Sequence, residues 1–183
     1  MTQTDDINKV LEEGFKKARM LMYQAVWEAM RECAIKFVKE AIEAYNGGNL
    51  TGNTITSISA GLYEQGMPQP ELISAREVST LGAPIRRKLR KGETFVGEDY
   101  DGRERSGFIA DIETDGGSGE DTAFHILESY KLPAGCMFGI VVTTGTEYSE
   151  YLTTNKKLDY DLLISAYKKA PNIAQLEWKK IKL

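Results

Sequence analysis

Asp111, Glu113, Asp115, Glu120 and Asp121 crowd into one short stretch, and carboxylates at that density are what Ca²⁺ or Mg²⁺ takes as ligands. The spacing does not match an EF-hand loop, and Asp111 and Glu113 share one face if their segment is a strand. A solvated acidic edge accounts for the same residues. Two carboxylates could also serve glycoside hydrolysis, but spacing along the chain selects no pair. Gly47, Gly52 and Thr54 repeat the spacing of a phosphate-binding loop, with Asn53 where the lysine that meets the phosphates belongs. That stretch follows a helix instead of joining a strand to one, so it reads as a helix end and turn. His125 is the single histidine, and no Cys-x-x-Cys accompanies it, which excludes a zinc site with two imidazoles. No Gly-x-Ser-x-Gly elbow exists for it to serve. Beside Phe124 and Leu127 it reads as a boundary histidine. Arg86, Arg87, Lys88, Arg90 and Lys91 could touch phosphates, but Phe95 is too isolated for base stacking, and an exposed or partner-facing loop is expected. No catalytic, cofactor-binding or metal-ligating residue is assigned, and the chain is read as non-enzymatic.

What must position these residues is set by a modest frame. The chain has 183 residues, 42% hydrophobic and 27% charged, enough for one domain with a real core. A net charge of -4 and a pI near 5.2 argue against global attraction to nucleic acid or anionic membranes. No apolar run is long enough to span a membrane. Residues 1–6 are polar and acidic, unlike a signal peptide, so a soluble intracellular product is expected. The two cysteines make no disulfide framework, and Cys33 falls on an apolar stripe where a small buried hydrophobe belongs. Acidic residues 111–128 and a basic end with Lys156, Lys157, Lys168, Lys169, Lys179, Lys180 and Lys182 offer complementary patches for subunit docking.

The dominant element is a helix over residues 5–45. Ile7, Val10, Leu11, Leu21, Met22, Ala25, Val26, Ala29, Met30, Cys33, Phe37, Val38, Ala41 and Ile42 recur at three- and four-residue steps. Such a helix extends about 60 Å, beyond the width of a small domain, and must lean on something outside it or bend back. Thr4 or Asp5 is the expected cap, Gly14 a weak point, and residues 46–49 the end. Residues 57–63 alternate like a half-buried strand. Residues 64–105 form an extended region broken by Pro68, Pro70 and Pro84, with short strands expected near 72–78 and 93–97. A strand at 107–112, a helix at 121–130, a central strand at 137–144 and a helix at 160–169 stopped by Pro171 follow. The end, 175–183, slightly favours a strand. The expected fold is a single α+β domain over 1–183. Its long helix, 1–46, packs on a small, mostly antiparallel sheet with one or two further helices.

Two separated phrases carry a resemblance. One is Thr51, Gly52, Asn53, Thr54, Ile55, Thr56, Ser57 and Ile58, placed after the long helix. The other runs from the strand Gly139, Ile140, Val141, Val142, Thr143 and Thr144 through Gly145 and Thr146 to Glu147, Tyr148, Ser149, Glu150, Tyr151 and Leu152. Together they resemble the neck and tail-completion (head–tail connector) proteins of tailed bacteriophages. That family shows Thr-Gly-x-Leu-x-x-Ser-Ile and later a strand ending in a Glu-Tyr-Ala-x-Tyr-like corner. Thr54 stands for the usual Leu, Ser149 for Ala, and no Glu-Phe-Gly-Thr follows Tyr151.

The resemblance implies a virion structural subunit of a ring at the head–tail junction, made in the host cytoplasm before assembly. Its implied partners are further copies in a homo-oligomeric ring and portal, adaptor or tail-tube proteins. Non-specific DNA contact within a channel is a further implication, and no membrane contact is. The residues alone leave an alternative open: an intracellular protein-binding adaptor unrelated to virions, with the long helix as its partner element.

Overall fold

The computed structural model describes residues 3–45, 53–67, 69–78, 94–95, 108–109, 119–146, 149, 154 and 162–181. The first element, α1 (Gln3–Ala44), is one continuous helix. Thr4 and Asp5 lie inside it, so neither is its cap. Its second half builds the core: Met30, Ala34, Val38, Ala41 and Ile42 are buried at helical spacing, with Tyr45 just beyond its end. Cys33 is buried beside them, as its place on the stripe suggests, and burial pushes its thiol pKa up.

A single turn, α2 (Asn53–Thr56), leads into β1 (Ile58–Glu64), and Gly66 at φ 93° makes the turn that leaves it. β1 pairs antiparallel with β2 (Glu71–Ser74) on one side and with β5 (Phe138–Thr144) on the other. The β1–β2 register sets Ala60 opposite Ile73, and the β1–β5 register sets Ile58 opposite Thr144. Helix α3 (Ala75–Val78) continues directly from β2. Thr94–Phe95 (β3) and Phe108–Ile109 (β4) form a separate antiparallel pair, and α4 (Gly119–Ser129) precedes β5. The last helix, α5 (Ile164–Trp178), packs along α1. The molecule is therefore α+β, with a long N-terminal helix on a small antiparallel sheet.

Three expectations are corrected. β1 is not half-buried: Ile58, Ala60 and Leu62 face α1 while Ser59, Gly61 and Tyr63 lie under α4, and all are buried. The small side chains of Ser59 and Gly61 make room for that second layer, and a methyl group on Gly61 would press on the Tyr63 ring. β5 is not central. Among the described residues it pairs with β1 alone, and its side chains are half-exposed throughout. The helix at the end does not stop at Pro171 and no strand forms over the described part of 175–183. α5 runs through Pro171 because packing of Ala166 and Glu177 against the domain outweighs the one backbone hydrogen bond proline removes. Within 64–105, β2, α3 and β3 supply regular structure to the region read as an extended loop.

Candidate functional site

The first half of α1 carries a broad apolar face that packs on no other element among the described residues. Ile7, Val10, Leu11, Phe15, Leu21 and Met22 are 49–69% exposed. With Gly14, Ala18 and Ala25 they fall at three- and four-residue steps, which puts them on one side of the helix. Burial begins around Tyr23, and from Ala29 onward the side of the helix that faces the domain is buried. At 1.5 Å per residue the exposed half projects roughly 30 Å. An apolar face of that length stays in water only at a cost that a neighbour would relieve.

The base of this arm is held by a polar collar. Tyr23, Trp27 and Arg31 recur every four residues on α1 and face the far ends of β1 and β2. The Tyr23 hydroxyl donates to Glu64 Oε2 at 2.6 Å, Trp27 Nε1 donates to Glu71 Oε2 at 2.7 Å, and Arg31 Nε donates to Glu71 Oε1 at 2.9 Å. Tyr23 also stacks on Trp27, with ring centres 6.2 Å apart, and leans against Phe138. Its hydrogen bond to the Glu64 carboxylate raises the phenol pKa, since ionisation would set two negative charges together. The collar fixes where the arm leaves the domain and in which direction. Sequence reasoning passed over it, although the four-residue recurrence of Tyr23, Trp27 and Arg31 was a usable signal.

A second apolar feature lies where α1, β5 and α5 meet. Met30, Phe37, Phe138, Ile140, Ala174 and Trp178 line an open groove of about 550 Å³. Tyr167 stands at its rim, 82% exposed. Glu177, next to Trp178 in the chain, is buried and paired: Lys180 Nζ donates to both of its carboxylate oxygens at 2.8 and 2.9 Å, and Lys36 donates to Oε1 as well. These contacts, Lys180 first, hold the Glu177 carboxyl pKa below its ordinary value and raise that of Lys36.

The residues singled out for chemistry do not converge. Glu120 is buried at the start of α4 and pairs with Arg76 Nε at 2.8 Å, whereas Asp121 is exposed. Asp111, Glu113 and Asp115 lie outside the described residues, as do residues 46–52, 86–91, 147–148 and 150–153. Among the described residues no group of three or more His, Cys, Asp or Glu could hold a metal. The His125 side chain is 92% exposed and stands 3.9 Å from Glu128, further into solvent than a boundary position. Of the basic end, Lys180 is engaged by Glu177 and Lys169 by Glu40, so neither is a free docking charge.

The two phrases that carry the phage resemblance meet in the sheet where each is described. Ser57 donates to the Thr54 carbonyl at 2.7 Å and lies 2.7 Å from Thr144 Oγ1, which leaves it to accept the Thr144 hydroxyl. Gly145 then passes so close to α4 that a side-chain carbon there would overlap the Gly119 carbonyl and the Ala123 amide. No family model, curated protein or solved structure matches this chain. No helix among the described residues is long and apolar enough to cross a membrane.

Proposed function

We propose that this chain is a non-enzymatic structural subunit of a neck or tail-completion ring at the head–tail junction of a tailed bacteriophage. The observation that carries the reading is the arm of α1, an apolar helix held out from the domain by a fixed collar. An assembly subunit uses such an element to reach a neighbour. The adjacency of Ser57 and Thr144 supports it further, because it brings the described parts of the two resembling phrases side by side. The subunit would be made in the host cytoplasm and enter the virion, where its work is mechanical: joining layers, sealing a channel and offering a docking surface to portal, adaptor or tail-tube proteins.

Removing the gene from a phage that carries it tests this. Electron microscopy of the lysate is expected to show filled or emptied heads and separate tails, with few joined particles. Intact infectious virions in normal number would reject the neck reading and leave the adaptor reading, in which the arm binds a host-cell protein, as the one to pursue.

A further inference from the structure

We infer that the outer edge of β5, with the groove beside it, is a docking site for one extended segment of another protein, added to the sheet as a fourth strand. The inference does not rest on the neck reading. Backbone geometry decides which groups meet the added strand. Gln65 N–H donates to the Met137 carbonyl at 2.8 Å, one step past the Glu64–Phe138 pair. Hydrogen-bonded and non-hydrogen-bonded pairs alternate in an antiparallel ladder, so Gly139, Val141 and Thr143 turn their N–H and C=O groups toward β1. Phe138, Ile140, Val142 and Thr144 turn theirs the other way, where no strand pairs with them among the described residues. An extended backbone matches donors and acceptors at that two-residue repeat.

The two edges of this sheet differ in how they are guarded. β2 is four residues long, follows Pro70 and starts at Glu71, whose carboxylate Trp27 and Arg31 hold. Short length, proline and charge are means of keeping a foreign strand off an edge. β5 has seven residues, pairs with β1 along its whole length, and contains no proline and no charged residue. Its edge carries none of those devices.

The groove takes one strand. α5 packs on α1 and scarcely touches β5, so α1 forms the floor of a slot with β5 on one side and α5 on the other. Met30 and Phe37 belong to the floor, Phe138 and Ile140 to the near wall, and Ala174 and Trp178 to the far wall. Strands lie about 4.8 Å apart and layers about 10 Å apart, so four residues of strand, about 13 Å long, take up about 600 Å³. The slot measures about 550 Å³. A second copy's β5 would bring its own helices into the place α5 already holds, so a single segment fits and a domain does not. Residues set opposite Ile140 and Val142 share the face of those two, toward α1, which calls for apolar side chains at alternate positions. Lys168 also lines the slot and makes no ion pair among the described residues, unlike Lys169, which Glu40 holds. One carboxylate side chain at an end of the segment complements it.

Amide hydrogen exchange of the full chain, read by NMR, tests the edge without any variant. In the free protein the amides of Ile140 and Val142 are expected to exchange about 100-fold faster than those of Val141 and Thr143. The probes for docking are two amidated hexapeptides, acetyl-Glu-Val-Thr-Val-Thr-Val and acetyl-Val-Thr-Val-Thr-Val-Glu. At least one is expected to bind with a dissociation constant below about 1 mM and to slow exchange at Ile140 and Val142 about tenfold. Methylating the peptide's backbone nitrogens at alternate residues should weaken binding about tenfold in one of the two frames and much less in the other. Ala174→Trp, which fills the slot, should weaken it about tenfold, and Lys168→Glu about threefold. Protection of Ile140 and Val142 in the free chain would overturn the inference. So would failure of both peptides to bind at about 1 mM, or binding indifferent to nitrogen methylation and to Ala174→Trp.

Discussion

Glu177 sits inside a helix that packs on α1, yet it is a carboxylate with its side chain only 5% exposed. It is tolerable there because Lys180 and Lys36 surround it, and a buried charge is retained only when so paired. Lys180 was read as a docking charge although Glu177 lies three residues away; the burial of Glu177 follows from the packing of α5 on α1 and its contact with Lys36, which spans most of the chain and leaves no local trace. Cys33 was legible for the opposite reason: its burial follows from the period of its own helix. A glutamate whose pKa is lowered by folding adds stability that is present above its ordinary value near 4.5 and is lost as pH falls through the lower, folded value. Urea midpoints of the native chain should therefore drop across that acid window. Glu177→Gln should lower the midpoint near neutral pH and flatten the acid slope, because the amide no longer titrates. Parallel slopes for the two proteins would show that Glu177 is not the group responsible.

At the scale of elements, period and composition revealed α1, β1, α4 and β5, and hid what depends on packing between them. β5 is rich in β-branched residues and was read as central, but β1, with Ser59, Ala60 and Gly61, is the strand both neighbours flank. Small residues lower a strand's local signal while allowing α1 and α4 to close on its two faces. Pro171 was read as a stop because proline acts locally, whereas α5 is set by the surface it lies on. Gly145 marks the tightest junction, where the end of β5 meets the first turn of α4 backbone to backbone. Neither backbone can yield as a flexible side chain would. Gly145→Ala is accordingly expected to cost about 1–3 kcal/mol of stability in chemical denaturation, the range for forced overpacking. A change below a few tenths of a kcal/mol would mean that α4 does not hold that position in solution.

For the whole molecule, the decisive division runs along α1 itself. Its second half is the spine of the domain, and its first half is an arm with an apolar side and a fixed exit angle set by Tyr23, Trp27 and Arg31. The length of the helix was legible in the sequence, and with it the need for a partner. The point where burial ends was not, because the apolar repeat continues unbroken through both halves. The functional proposal rests on the resemblance to phage neck proteins and on the arm. Quantitative mass spectrometry of purified particles tests the structural-subunit account most directly. A fixed, low copy number per particle, comparable to that of a ring component and much below that of the major capsid protein, is the predicted result. Absence from intact particles, with the protein abundant in the soluble fraction of the same lysate, would contradict it.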